Sequence, residues 1–159
     1  MKYAKFKRPE KLKCKWGGGE FNALPRQFTR SSVLRELGPF ESKLLLDLLA
    51  QYNGFNNGDL CITWSVMKNR RWNSRTTLQN AKQALLDRGL IVCTRPGTRR
   101  RCALYALTLY DIDECKGKHD AMPTSAPLSL WLRHEPIRPL AELQAEFKSK
   151  QALKAQSDA

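Results

Sequence analysis

Hydrophobic residues recur at the spacing of a helix in the first half of the chain. In the segment FTRSSVLRELGP, Val33, Leu34 and Leu37 fall on one face. Thr29 or Ser31 precedes them as a cap, and the Gly-Pro pair ends the helix. The next segment, FESKLLLDLLAQY, carries a broad leucine stripe. We therefore predict a short helix followed by a core helix.

The middle of the chain predicts a strand, a helix and a tight turn. The turn-forming residues NGFNNGD end the core helix, and LCITW is a short strand that leads into a helix capped by Thr63. The segment NRRWN then forms the turn before the next helix. It contains no glycine, so we expect Asn69 or Asn73 to adopt the left-handed backbone conformation there.

A longer helix follows this turn, with Asn73 or Ser74 as its cap. Leu78, Ala81 and Leu85 recur at the spacing of a buried seam, and a glycine directly after the segment ends the helix. The strands LIVCTR and RCALYALTLY then flank the turn PGTR as a β-hairpin. The predicted fold class is therefore mainly α with a small β-hairpin.

Two segments, LLLDLLAQYNGFNNGDLCITWSVM and SRTTLQNAKQALLDRGLI, carry a resemblance to a known family. The chain from about Thr29 to Tyr110 resembles the winged helix-turn-helix domains of bacterial and phage DNA-binding proteins. It is particularly similar to those of mobile elements and to the amino-terminal domain of phage replication O-type proteins. The resemblance implies a winged helix-turn-helix fold that binds DNA, and it does not separate a repressor from a replication initiator. Many such domains have a glycine in the turn before the third helix, which NRRWN lacks.

The net charge of the chain indicates the class of its binding partner. Lys and Arg outnumber Asp and Glu by 28 to 15, and the net charge of +13 makes a polyanion the expected partner. Residues 1–28 form a basic arm of net charge +6 with three consecutive glycines, which we expect to be flexible. Residues 29–110 form the winged-helix domain and carry +8. Residues 111–138 are a proline-containing linker, and residues 139–159 are a C-terminal helix or tail.

The exposed face of the longer helix offers side chains that suit DNA bases. If the seam faces the core, five polar residues face away from it: Arg75, Thr76, Gln79, Asn80 and Gln83. Arginine suits guanine, glutamine and asparagine suit adenine, and the threonine methyl suits the thymine methyl. These five are the candidate base-reading residues for double-stranded DNA. A solvated helix face is the alternative.

Basic residues flank this helix on both sides. In a winged helix, the residues before the third helix and those at the hairpin tip approach the phosphate backbone. The candidate backbone contacts are Lys68, Arg70, Arg71, Ser74, Lys82, Arg95, Arg99, Arg100 and Arg101. On a regular strand, Arg99 and Arg101 would share one face and Arg100 would take the other. A solvated hairpin is the alternative here, and we interpret Trp72 as an anchor between helices rather than a base-stacking residue.

Candidate catalytic and metal-binding residues are few. The two histidines, His119 and His134, fall beyond the predicted domain, and no P-loop pattern occurs. Cys115 and His119 have the spacing of half a metal site, but no second pair accompanies them. We therefore expect no enzymatic activity, no metal and no cofactor. Cys93 and Cys102 flank the hairpin turn, where they could face each other, and we interpret them as reduced side chains.

Cysteine usage and hydropathy favour a cytoplasmic protein without a membrane partner. The five cysteines include no C-x-x-C pair, which is typical of a reducing compartment. No apolar run approaches the ~18 residues that span a membrane. The amino-terminal lysines also lack the apolar stretch of a signal peptide.

Two parts of the tail carry apolar residues. Trp131, with leucines around it, either docks on the domain or contacts a partner. The last segment, PLAELQAEFKSKQALKAQ, predicts a weakly amphipathic helix. That helix either forms a homodimer or stays exposed to solvent.

These patterns together predict a sequence-specific double-stranded DNA-binding protein. The leading hypothesis is a transcriptional regulator on a mobile element. One alternative is a replication-initiation accessory protein that binds an origin. The other is a protein-interaction adaptor that uses the same fold and the Trp131 tail, and such an adaptor should expose an apolar patch.

Overall fold

The computed structural model describes residues 21–133 of the chain. These residues form five α-helices and a three-stranded antiparallel sheet. The elements are α1 (Arg26–Thr29), α2 (Ser32–Arg35), α3 (Pro39–Leu49), β1 (Leu60–Cys61), α4 (Trp64–Asn69), α5 (Arg75–Asp87), β2 (Ile91–Arg95) and β3 (Leu104–Leu107). Two 3₁₀ turns follow at Cys115–Gly117 and Leu130–Arg133. The predicted C-terminal helix and the first twenty residues of the predicted arm lie outside the described residues.

Local sequence signals set both ends of α5. The Ser74 hydroxyl accepts a hydrogen bond from the Thr77 N–H at 3.2 Å, so Ser74 is the cap. Gly89 follows the helix with φ of 66°, a backbone conformation that costs glycine little. The Leu90 N–H then donates to the Leu85 carbonyl at 2.9 Å, which closes the last turn. The predicted start and end of this helix are confirmed.

The core lies where α3, α5 and the sheet meet. On α3, the predicted leucine stripe is buried at Leu44, Leu45, Leu48 and Leu49. On α5, the predicted seam is buried at Leu78, Ala81 and Leu85. Each fully buried leucine stabilises the fold by about 1.5–3 kcal/mol relative to an exposed one. The helical phase of α5, which decides which residues face outward, is therefore confirmed.

The predicted hairpin is present, and β1 adds a third strand to it. The strand order is β1-β3-β2, with Leu60 opposite Tyr105 and Ile91 opposite Leu107. A bulge in β2 makes Thr94 the extra residue between the Cys93 and Arg95 positions. The bulge turns Thr94 inward, where its hydroxyl donates to the Gly58 carbonyl at 2.7 Å. The short strand predicted in LCITW is therefore confirmed at Leu60–Cys61, and it pairs with the second strand of the hairpin.

Packing extends beyond the predicted 29–110 domain at both ends. Phe28, which the sequence assigned to the arm, is fully buried, and its ring meets the Trp131 ring edge-on at 5.3 Å between centroids. Ile112 and His119 of the predicted linker are also buried. The docking alternative for Trp131 is therefore confirmed. Single large side chains hold these segments, so no helical or strand period marks them in the sequence.

The turn-rich segment before β1 contains a buried polar residue, Asn57, whose amide group and backbone N–H all form hydrogen bonds. Its amide nitrogen donates to the carbonyls of Leu107 and Asp111, both at 2.8 Å, and also to that of Tyr110. Its amide oxygen accepts from the Leu107 N–H at 2.7 Å. The Asn57 N–H in turn donates to the Asp113 carboxylate at 2.8 Å. We call this set the Asn57 bracket, and it fixes the end of β3 that leads into the tail.

The turn between α4 and α5 differs from the expectation. Arg71, and not Asn69 or Asn73, has the left-handed conformation, with φ of 66°. The N–H groups of Arg71 and Trp72 close the end of α4 by donating to the carbonyls of Lys68 and Met67. The left-handed position costs an arginine about 1–2 kcal/mol, and the burial that it permits for Trp72 offsets this cost.

Candidate nucleic-acid interface

The exposed face of α5 carries the five predicted base-reading residues. All five are solvent-exposed: Arg75, Thr76, Gln79, Asn80 and Gln83. Within residues 21–133, the side chains of Thr76, Gln79 and Asn80 have no hydrogen-bond partner. Gln83 differs, because its amide donates to the Asp87 carboxylate at 2.8 Å. The first two turns of α5 therefore present the polar groups that are free to bind a ligand.

Arg75, the first residue of α5, lies over an aromatic ring. Its guanidinium carbon is 5.2 Å from the centre of the Trp64 indole, within the range of a cation–π interaction. Trp64 is the first residue of α4 and is half-buried against the core. No sequence pattern indicated that Trp64 belongs to this surface. Its only signal was a large aromatic side chain directly after the Thr63 cap, which names no partner.

The basic residues ahead of α5 divide into two groups. Lys68 and Arg71 are exposed, and the described part of the chain provides no partner for either side chain. Arg70, in contrast, lies 3.7 Å from the Asp47 carboxylate of α3 in an ion pair. The predicted Ser74 contact is limited in the same way, because its hydroxyl caps α5.

Asp47 of α3 accepts hydrogen bonds that hold the turn between α4 and α5 against α3. Its carboxylate accepts from the Lys43 ammonium and from the Trp72 indole N–H, both at 2.7 Å. Lys43 also donates to the Arg70 carbonyl at 2.8 Å. Trp72 is only 3% exposed, so it anchors the turn on α3, as interpreted from the sequence, and does not offer its ring to a base.

The loop between β2 and β3 carries three exposed arginines that we call the loop arginines: Arg99, Arg100 and Arg101. The Thr98 N–H donates to the Arg101 carbonyl at 2.8 Å, and the Arg101 N–H donates back to the Thr98 hydroxyl at 3.1 Å. Arg99 and Arg100 therefore occupy the two central positions of the turn. The expected strand face shared by Arg99 and Arg101 is wrong, because β3 begins only at Leu104.

Arg95, at the end of β2, has a different environment from the loop arginines. Its guanidinium donates to the carbonyl of Cys102 at 3.0 Å and to that of Lys118. Its side chain is half-buried, whereas the loop arginines are exposed. Arg95 therefore ties the loop to the following segment, which removes it from the set of free cations. Lys82, half-buried on α5, has no partner among residues 21–133.

Cys102 lies beside Cys61 of β1, because β1 pairs with β3 at Leu104, two residues after Cys102. Cys93 of β2 lies opposite Tyr105 instead. Cys93 and Cys102 therefore do not face each other across the hairpin, and both are free thiols, as interpreted from the sequence. Burial raises the pKa of the Cys102 thiol, and Cys61 raises it further. A raised pKa keeps this thiol neutral near pH 7.

No Asp or Glu occurs between Asp87 and Asp111, so the hairpin carries no carboxylate.

A chain of contacts connects the loop between β2 and β3 with the start of α5. Cys61 of β1 lies opposite Leu104, the first residue of β3 after the loop. The Cys61 thiol reaches the hydroxyl of Thr63, the cap of α4, at 3.3 Å. The next residue is Trp64, which lies beneath Arg75. We call the exposed cations of this region the basic end: Lys68, Arg71, Arg75 and the loop arginines.

The predicted half metal site is occupied by internal contacts. His119 is buried, and its Nε2 lies 2.8 Å from the Asp113 carbonyl. The Cys115 thiol points to the Asn57 carbonyl at 3.9 Å. Between residues 21 and 133, no group of three or more metal-ligating side chains occurs. In the same range, no helix has the length and hydropathy needed to cross a membrane.

Comparisons of the chain with protein-family models, with curated proteins and with solved structures found no match.

Proposed function

We propose that this protein binds double-stranded DNA in a sequence-specific manner through the basic end and the exposed face of α5. In this proposal it is a winged helix-turn-helix regulator of transcription on a mobile element, and it acts by binding without catalysis. The observation that carries the proposal is the chain of contacts that links the loop with the start of α5 through Cys61, Thr63 and Trp64. Both features present exposed side chains without a hydrogen bond or an ion pair among residues 21–133.

The order of the elements supports the winged-helix part of the proposal. Helix α3, strand β1, helices α4 and α5, and strands β2 and β3 follow one another as helix, strand, helix, helix and hairpin. In such folds the second helix of the helix-turn-helix pair enters the major groove with its N-terminal residues at the base edges. That helix would be α5, and the loop between β2 and β3 would be the wing.

Side-chain chemistry supports base reading at the start of α5. Arg75 fits guanine, Gln79 and Asn80 fit adenine, and the Thr76 methyl fits the thymine methyl. Gln83 is the weakest of the five candidates, since its amide already bonds Asp87. The loop arginines supply a further, sequence-independent term, because cations that neutralise phosphates release counterions from DNA.

The adaptor alternative has less support than DNA binding. An adaptor needs an exposed apolar patch, and Trp131, its main candidate, is only 4% exposed. Eight large hydrophobic side chains are exposed within residues 21–133, but none of them lies on α5 or in the loop between β2 and β3. Binding at a replication origin uses the same duplex chemistry as binding at a promoter, so it remains the alternative within DNA binding.

Selection from a randomised duplex pool with the full chain tests the proposal. We expect one short sequence to be enriched. Asn80→Ala and Arg75→Ala should each cost about 1–3 kcal/mol on that duplex and little on random DNA. Lys116→Ala, an exposed cation outside the basic end, is the matched control and should cost nothing on either duplex. Equal losses on both duplexes from the α5 variants would contradict base reading.

A further inference from the structure

Trp64 is an aromatic residue whose position next to α5 has a consequence for specificity. We propose that Trp64 is a positioning residue that holds Arg75 for the recognition of guanine, so that preference for one G·C pair depends on an indole that need not touch DNA. The inference rests on the proposed function, because it assigns a role within that same DNA-binding surface.

The geometry sets Arg75 apart from the other cations of the basic end. Its guanidinium carbon lies 5.2 Å from the centre of the Trp64 ring, while the other five have no aromatic contact within residues 21–133. A cation–π interaction uses the ring face and leaves the N–H groups of the guanidinium unbonded. Arg75 has no hydrogen bond and no ion pair in the described part of the chain, so its five donors remain available for a base.

Trp64 is itself held in place. It is half-buried, it packs against the core cluster, and it is the first residue of α4, directly after Thr63, whose carbonyl accepts from the Met67 N–H at 2.9 Å. Arg75 likewise has a fixed backbone, because it follows the Ser74 cap at the first position of α5. Two fixed backbones and one ring contact restrict the conformations of an otherwise mobile side chain.

Restricting Arg75 favours bidentate recognition. A long side chain loses rotamer freedom when it binds, and a contact that already limits this freedom reduces the cost. Guanine presents two acceptors, O6 and N7, that match the fork of a guanidinium. A less ordered Arg75 would still attract phosphate, but it would discriminate less between bases. Trp64 should therefore influence the specificity of binding more than its general strength.

The test compares two substitutions at position 64. Trp64→Leu removes the ring face and keeps an apolar side chain, whereas Trp64→Phe keeps a ring face for Arg75. Duplex selection is repeated with the full chain carrying Trp64→Leu, Trp64→Phe, Arg75→Ala or the combination of Trp64→Leu with Arg75→Ala. Thermal unfolding of each variant identifies effects on folding.

We expect Arg75→Ala to abolish the preference for one G·C pair, by about ten-fold or more. Trp64→Leu should weaken the preference at the same position by about two- to five-fold, and Trp64→Phe should restore most of it. The double variant should match Arg75→Ala alone, and affinity for random duplex should change little.

Two outcomes would overturn the inference while the proposed function stands. In one, Arg75→Ala loses the G·C preference but Trp64→Leu keeps it in full. In the other, Trp64→Leu and Trp64→Phe weaken specific and random binding equally and lower the unfolding temperature, as for a purely structural residue. Failure of the wild-type chain to enrich any sequence would instead contradict the proposed function.

Discussion

The two ends of the β2–β3 hairpin are built in opposite ways. At the end next to the tail, backbone groups are bonded by side chains and by other segments. The Asn57 bracket holds Leu107, the Ser129 N–H donates to the Thr108 carbonyl at 2.9 Å, and the Thr108 hydroxyl donates to the Gly89 carbonyl at 2.6 Å. At the loop end, the loop arginines are exposed and have no side-chain partner between residues 21 and 133.

This difference separates the residues that stabilise the fold from those that are free to bind. A buried polar group left without a partner costs about 1–3 kcal/mol, so the bonded end of the hairpin cannot lose its partners without loss of stability. Exposed like charges in one turn add no stability by themselves, and they attract a polyanion. Substitutions at the bonded end should therefore reduce stability, and substitutions at the loop end should reduce binding.

The largest expected effect is at Trp131, which joins the tail to the core. Trp131→Ala should lower the free energy of unfolding by about 3–5 kcal/mol, because it leaves a cavity beside Phe28. Leu132→Ala is the matched control. Leu132 is 51% exposed, and its loss should cost about 0.5 kcal/mol or less. Urea denaturation monitored by circular dichroism measures both, and similar values for the two would contradict the docking of Trp131.

The next effect is at the Asn57 bracket. Asn57→Ala should lower the free energy of unfolding by about 2–4 kcal/mol, because buried groups of Leu107 and its neighbours lose their partners. Asn80→Ala, on the exposed face of α5, should change it by about 0.5 kcal/mol or less. The same denaturation experiment measures this pair. A stable Asn57→Ala variant would mean that the bracket does not hold the sheet.

A smaller effect distinguishes two arginines of the same hairpin. Arg95→Gln should cost about 1–2 kcal/mol of unfolding free energy, because the carbonyls of Cys102 and Lys118 lose a charged donor. Arg100→Gln should cost almost nothing, since the Arg100 side chain is exposed. Thermal unfolding under matched conditions measures this contrast. Equal stability of the two variants would show that Arg95 points into solvent like the loop arginines.

Local rules were sufficient for α5, and they account for the face that it exposes. Ser74 caps the helix, Gly89 ends it, and the seam through Leu85 sets its phase, all within one stretch of sequence. The candidate residues on its outer face followed from that phase alone. Periodicity works here because each of these determinants lies within five residues of its partner along the chain.

Partners that are distant in sequence explain where the structure departs from local sequence patterns. Arg71 takes the left-handed position in place of an asparagine because Trp72 must reach Asp47, which lies 25 positions earlier. Cys102 meets Cys61 because β1 joins the sheet, which no local pattern indicated. Arg95 resembles a loop arginine in sequence, but its guanidinium donates to the carbonyls of Cys102 and Lys118, and Lys118 lies 23 positions later.

The salt dependence of DNA binding tests whether the loop arginines contact the phosphate backbone. Each phosphate contact lowers the logarithm of affinity by about 0.9 per decade of salt concentration. The variant with all three loop arginines replaced by glutamine should therefore show a slope shallower by about two to three units, with the unfolding free energy unchanged. Lys116→Gln is the control for a cation outside the basic end, and it should keep the wild-type slope.

Affinity for the selected duplex and for a random duplex should be measured across one salt series for the wild-type chain, the triple variant and the control. We expect a shallower slope for the triple variant on both duplexes and no change for the control. An unchanged slope in the triple variant, or an equal change in the control, would contradict DNA binding by the loop arginines.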